Sequence, residues 1–235
     1  MKNILSYIVI AVLLPASFIA CKKDNYDPPQ SLLTAKLVYK GEQVNVEYNQ
    51  VPFQLFQFGF GKVGPIASTV NQDGNFSALL FDGNYKLTIP ANQGPFIWKK
   101  TASGAQDSLS VTMKGNQDLD IEVTPYFMIR SAKFAAASNK VTGTFSIEKI
   151  VTDANAKNIE RVNLYINKTQ FVSTGDYNIA SSQLTADQIT SPAAVTMTVN
   201  VPAISPAQNY VFARVGLKIA GVEDMIFSQV EKIGL

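Results

Sequence analysis

The sequence predicts an all-β protein made of two β-sandwich domains. Three observations predict it: rows of apolar residues that alternate with polar ones, turn residues at short intervals between those rows, and almost no helical periodicity. Leu119, Ile121 and Val123 alternate with Asp120 and Glu122, and Val162, Leu164 and Ile166 alternate with Asn163 and Tyr165. Val195, Met197, Val199 and Val201 alternate with Thr196, Thr198 and Asn200, and the longest row is Val211, Ala213, Val215, Leu217 and Ile219. Each row puts one side of a strand into a core and turns the other toward water.

Turn signals fall at Asp73-Gly74, Asp82-Gly83, Lys114-Gly115, Asn139 and Gly221. Only Thr185 to Ile189 reads as a short helix. In Phe53 to Phe60, a buried central strand accounts for Phe53, Leu55 and Phe56. Phe58 and Phe60, beside Gly59 and Gly61, read as an edge or loop that could add to a surface patch.

A length of 235 residues allows one domain or two. Pro125 cannot donate to a β-ladder and restricts Thr124 before it, so a strand running through Val123 stops there. Aromatic residues and Gly are dense before this point; Ala, Thr, Val and Asn are dense after it. The expected division is a leader over 1–21, a tether over 22–30 stiffened by Pro28-Pro29, and domains at 31–124 and 125–235. No internal repeat relates the two.

The leader begins with Met1-Lys2-Asn3, continues as 17 mostly apolar residues from Ile4 to Ala20, and meets Cys21 followed by Lys22-Lys23-Asp24-Asn25. A short basic start, an apolar core and a small residue before the cut describe a secretory signal. A transmembrane anchor needs about 20 continuous apolar residues, and Pro15 interrupts this shorter run. A plain signal peptide and an uncut anchor remain the alternatives. Ala20-Cys21 resembles the lipobox of bacterial lipoproteins, although Phe18 is unusual at its first position. Lys23-Asp24 resembles the export signal of Bacteroidetes surface lipoproteins. These resemblances imply lipidation of Cys21, attachment to the outer membrane and exposure at the cell surface, with the periplasmic face as the other option.

Charged residues make up 16% of the chain, and Lys2 is the only one in the leader, leaving 19 basic against 18 acidic residues beyond it. That balance lacks the clustered positive surface that nucleic acid requires. The chain has no histidine, which removes Ser-His-Asp and Cys-His nucleophile systems and ordinary zinc sites. A carboxylate pair, a Ser-Lys dyad or calcium on oxygen ligands would still be possible. Asp118, Asp120 and Glu122, with Asp73 and Asp107, are the acids to weigh, but alternating acids on a strand are ordinarily its solvated face. No twelve-residue calcium loop is present, Ser108 and Lys114 form no Ser-Lys motif, and no cofactor or metal is expected.

Residues 71–89, with Asp73-Gly74, Phe76, Asp82-Gly83 and Tyr85, resemble the carboxypeptidase-regulatory or prealbumin-like β-sandwich, with Phe76 and Tyr85 bringing large apolar area into one core. More widely, Cys21 to Asp27, Leu80 to Tyr85, Gly94-Pro95-Phe96 and Ile121 to Tyr126 are similar to a Bacteroidetes lipoprotein family of unknown function. Gly41-Glu42-Gln43 departs from it as a shortened early hairpin. That family is met beside outer-membrane receptor pairs of the starch-utilisation type. The resemblance therefore implies an accessory lipoprotein of polysaccharide or nutrient capture, an immunoglobulin-like second domain, and no catalytic residues.

Trp98, the only tryptophan, sits with Phe96 after Gly94-Pro95 and before Lys99-Lys100. An exposed Trp98 and Phe96, with Phe60, could stack on a glycan or on a partner; otherwise Trp98 closes the sandwich end or packs between the domains. The expected function is non-catalytic binding. A structural or adhesive, fimbria-associated lipoprotein is the alternative, and an enzyme would need two carboxylates about 5–10 Å apart in a cleft.

Overall fold

The computed structural model describes residues 27–59 and 63–235, so the leader, Cys21 and Phe60 lie outside the described residues. Strand β1 (Ser31–Tyr39) buries Leu33, Ala35 and Leu37 and turns Leu32, Thr34 and Lys36 outward. It is followed by β2 (Glu42–Gln43), β3 (Asn45–Val46), β4 (Pro52–Gln57), β5 (Pro65–Thr69), β6 (Asn75–Leu80) and β7 (Gly83–Thr88). Then come β8 (Phe96–Ile97), β9 (Leu109–Met113), β10 (Gln117–Glu122) and β11 (Thr124–Pro125). In the first sandwich β1 is central, with β10 parallel on one side and β2 and β6 antiparallel on the other. The facing sheet has the order β5-β4-β7-β9. Phe53 of β4 stacks on Phe76 of β6 with ring centroids 4.0 Å apart, joining the two sheets.

The turns follow from local chemistry. Lys40 and Gly41 between β1 and β2 have φ of 51° and 80°, the two positive values of a type I′ hairpin. Before β6, Asn71 Oδ1 accepts the backbone N–H groups of Asp73 and Asn75, both at 3.0 Å. Gly74 has φ +76°, and a Cβ there would fall 2.1 Å from the Val44 carbonyl oxygen, so no other residue fits.

The second sandwich comprises β12 (Phe127–Ala137), β13 (Lys140–Lys149), β14 (Ile159–Asn167), β15 (Ala180–Thr185), β16 (Val195–Asn200), β17 (Tyr210–Ile219), β18 (Ile226–Phe227) and β19 (Glu231–Gly234). A three-stranded sheet, β12-β13-β16, faces β15-β14-β17 with β18 and β19 on the far side of β17, the strand arrangement of an immunoglobulin-like sandwich. The helix expected near residue 185 is a single 3-10 turn, Ala186–Gln188, with Gln188 Oε1 accepting the Thr185 N–H at 3.0 Å. The protein is thus all-β with two domains. Most of its buried apolar side chains nevertheless form one contiguous cluster through both sandwiches.

One expectation from alternation fails. Asn163 and Tyr165 on β14, and Arg214 on β17, were expected to face water, yet they are 6%, 5% and 0% exposed. Around Tyr165 the outer face of this sheet is covered by Val172, Met225 and Phe227 of the same sandwich, and around Arg214 by Val46 and Gln72 of the first as well. Strand β3 leaves its own sandwich and pairs antiparallel with β18, Val46 opposite Ile226 and Asn45 opposite Phe227. A second small core of Tyr165, Val172, Met225 and Phe227 forms beneath it.

Arg214 is the centre of this seam. Its Nε donates to the Ser228 carbonyl at 3.2 Å, its Nη1 to the Val172 carbonyl at 3.2 Å, and its Nη2 to the carbonyls of Val46 at 3.3 Å and Gln72 at 3.1 Å. Its guanidinium carbon lies 4.1 Å over the Phe227 ring. Burial pulls the Arg214 pKa down to about 9 while Asp73 and Glu47 raise it, so the cation persists at neutral pH. The Gln72 side chain bridges the same seam, donating to the Gln170 carbonyl at 2.8 Å and accepting from Val172 N–H at 3.2 Å. At the other end of β3, Arg130 reaches Glu42 of the first hairpin and bonds Glu148 at 2.6 Å.

Replacing Arg214 by Met takes the guanidinium donors away from four carbonyls in the buried seam. The expected loss is about 3–5 kcal/mol of unfolding free energy, read as a lower urea midpoint. Arg214→Lys, which cannot span all four acceptors, should recover only part of it. A variant with an unchanged midpoint would show that Arg214 does not hold the domains together.

Candidate binding site

Concave sites lie along the seam behind Trp98, beside Tyr48 and between Asn45 and Met128, and none is an open aromatic platform at Trp98. Trp98 is 7% exposed and Phe96 4% exposed. The indole N–H of Trp98 donates to the Asp107 carbonyl at 2.9 Å, and β8 pairs with β11, Phe96 opposite Pro125. Both rings are therefore buried, which corrects the reading of Trp98 and Phe96 as an exposed stacking surface and agrees with the alternative that Trp98 packs inside. Phe60 lies outside the described residues. Trp98 and Phe96 still line an interdomain cleft of about 320 Å³, shared with Tyr126, Asn155 and Lys157 of the second sandwich.

The loop that builds this wall is pinned from across the seam. Gly94 N–H donates to the Asp224 carboxylate at 2.6 Å, and Gln93 donates to Glu223 at 2.9 Å. Gly94 has φ +83°, and a Cβ there would lie 2.4 Å from the Phe96 ring. Burial pushes the Asp224 carboxyl above its ordinary value, with Glu47 and Glu223 adding to the effect and Gly94 N–H and Lys218 opposing it.

The second site is a groove of about 450 Å³ on the seam, lined by Tyr48, Asn71, Gln72 and Asp73 of the first sandwich and by Gln170, Phe171, Phe212, Val230 and Lys232 of the second. At its rim the Tyr48 ring lies 5.0 Å from that of Phe171 and 4.6 Å from that of Tyr177, the latter edge-on. Phe171 and Tyr177 are 39% and 37% exposed, so apolar faces are offered to solvent in a cluster. Further along, Lys232 lies 3.8 Å over the Tyr210 ring, which meets Phe212 edge-on at 5.8 Å. The groove thus combines aromatic faces with amides, a carboxylate and an ammonium, the mixture that characterises small-molecule sites.

Local chemistry fixes the aromatic rim. The buried Glu47 carboxylate accepts from the Thr174 hydroxyl and from Met225 N–H at 3.4 Å, and Tyr48 N–H donates to Ser173 Oγ at 3.3 Å. Asn178 closes the loop by donating to the carbonyls of Ser173 at 3.1 Å and Gly175 at 2.9 Å. These aromatics belong to no alternating row. The signal that could have found them is an aromatic residue inside a polar turn: Phe171 and Tyr177 sit in Asn167-Lys168-Thr169-Gln170-Phe171-Val172-Ser173-Thr174-Gly175-Asp176-Tyr177-Asn178.

The acids weighed from the sequence are dispersed. Asp120 pairs with Lys36 and Asp107 with Lys99, each at 3.3 Å, and Glu122 accepts Lys40 N–H at 2.7 Å. Asp73 lines the aromatic groove, apart from the acids on β10. Among the described residues, no group of three or more His, Cys, Asp or Glu is placed to hold a metal ion.

The folded protein holds the Asp224 proton more tightly than the unfolded chain does. That contribution to stability is complete below the unfolded value of 3.8 and is lost as pH rises through the higher folded value. Asp224→Asn keeps an oxygen for Gly94 N–H and removes the ionisation. The variant should gain stability relative to the parent as pH rises through that range and level off above it. Urea titrations at several pH values check this; a constant difference at every pH would refute it.

The chain is similar in sequence and structure to several solved proteins. Residues 31–124 match the family described as Protein of unknown function (DUF3823) N-terminal domain, and residues 127–232 match Domain of unknown function (DUF3823_C). A DUF3823 family protein from Bacteroides ovatus is 34% identical, with TM-score 0.74, over 88% of this chain and 100% of that one. One from Parabacteroides merdae is 32% identical, with TM-score 0.75 and the same coverage. A protein from Bacteroides uniformis named a "putative carbohydrate binding protein" shares the fold at 17% identity and TM-score 0.65, again over 88% of this chain and 100% of that one. No curated protein matches the chain. Both domains and the solved relatives agree: this chain belongs to the DUF3823 family.

Proposed function

We propose that this protein is a non-catalytic, lipid-anchored accessory that binds carbohydrate during polysaccharide or nutrient capture at the outer-membrane surface. The observation that carries this reading is the Tyr48–Phe171–Tyr177 cluster, open to solvent beside the seam groove. A sugar ring has an apolar C–H face that packs on an aromatic side chain, and hydroxyls that bond to amides and carboxylates. The groove supplies both, with Gln170, Asn71 and Asp73 next to Phe171 and Phe212. The name given to the Bacteroides uniformis protein is consistent with this chemistry.

The anchor belongs to the same proposal. Acylation of the single thiol at Cys21 would fix the domains to lipid through the nine-residue tether 22–30. Each buried acyl CH₂ contributes about 0.8 kcal/mol, and more than one chain is needed for lasting attachment. A receptor pair of the starch-utilisation type is the partner that such an anchored binder would serve.

A structural or adhesive role is the second reading, favoured by β5. This edge strand pairs only with β4 among the described residues, Ile66 is 43% exposed, and no charge occurs from Val63 to Gln72. Such an edge can accept a strand from another chain.

Native gels cast with a panel of polysaccharides test the first reading. Retardation by at least one glycan is expected, with affinity falling about tenfold or more in Phe171→Ala and Tyr177→Ala. Unretarded migration with every glycan, together with oligomers that Ile66→Lys abolishes, would favour the second. For the anchor, mass spectrometry of the native protein should show a chain beginning at an acylated Cys21. An intact leader or a free thiol would overturn that part.

A further inference from the structure

We infer that the cleft behind Trp98 is a second binding site, selective for a saccharide carrying a carboxylate or sulfate group. It is separate from the aromatic groove and does not rest on it. The cleft has about 320 Å³, room for a small ligand, and both sandwiches contribute its walls.

The side chains facing it are chemically biased. Lys100 comes from the first sandwich and Lys157 from the second, and no carboxylate is among the lining residues. Neither ammonium has a carboxylate partner within salt-bridge distance among the described residues. The acids nearest in the chain are already engaged: Asp107 by Lys99, Asp153 by the Asn155 N–H at 2.8 Å, and Glu160 by Arg161. Two cations brought to one concavity from opposite domains would both attract an anion placed between them.

The remaining surface suits a sugar. Asn92, Gln106 and Asn155 provide carboxamides that both donate and accept, matching hydroxyl groups whose orientation varies. Trp98, Phe96 and Tyr126 supply the apolar part of the wall. A simple inorganic anion would use the lysines and leave the amides and rings idle. A neutral sugar would leave the lysines unpaired. An acidic saccharide, such as a uronate or a sulfated sugar, uses all three kinds of group.

The test is isothermal titration of the full chain in detergent with oligogalacturonate, a sulfated chondroitin oligosaccharide and neutral malto-oligosaccharide. At least one acidic oligomer should bind, and its affinity should weaken as salt is raised. Lys100→Gln and Lys157→Gln should each weaken that binding about tenfold or more, and Phe171→Ala should leave it unchanged. Both lysines are at the surface, so the variants are expected to fold. The inference fails if neither acidic oligomer binds, or if binding persists in both lysine variants. Loss of neutral-glycan binding in Phe171→Ala alone reports on the aromatic groove, so the two sites fail separately.

Discussion

The arrangement of the whole molecule depends on a cation buried between two sandwiches. Arg214 projects from a central strand of the second sandwich into a space that water does not reach, and the carbonyls around it come from both domains. Five fixed N–H donors on a planar group can satisfy several main-chain oxygens at once, which an ammonium cannot. An isolated buried charge is costly, so the position is tolerable only while the first sandwich stays in place to supply Val46 and Gln72. Domain docking and charge burial are thus a single event.

The strand exchange reinforces this coupling. With β3 hydrogen-bonded to β18, the first sandwich completes an edge of the second, and the small core beneath it closes over Tyr165, Val172, Met225 and Phe227. Interfaces between domains within one chain are ordinarily more polar and looser than this. A contiguous apolar cluster through both halves makes the seam part of the core, and its concave margins are therefore shaped by both domains.

That geometry explains why both candidate sites sit where the domains meet. An aromatic ring or lysine on one sandwich becomes part of a site only when the other sandwich supplies the opposite wall. Tyr48 needs Phe171 and Tyr177, and Lys100 needs Lys157, partners more than 50 residues away in each case.

The sequence by itself determined the fold class and much of the inner core. A strand's side chains alternate in direction, so the rows from Val195 to Val201 and from Val211 to Ile219 mark the buried side of β16 and β17, and Phe53 and Leu55 mark that of β4. Turn chemistry was equally legible at Asp73-Gly74, because a positive φ beside a carbonyl admits only glycine. Alternation reports one covered face per strand and is silent about a second cover brought from a distant domain. Only the folded chain shows that Arg214 and Tyr165 are buried, that Trp98 is buried against the Asp107 carbonyl, and that Phe171 and Tyr177 meet Tyr48. These groups meet partners distant in sequence, within one sandwich for Trp98 and Tyr165 and across the seam for Arg214 and Tyr48, and no local pattern of residues encodes such contacts.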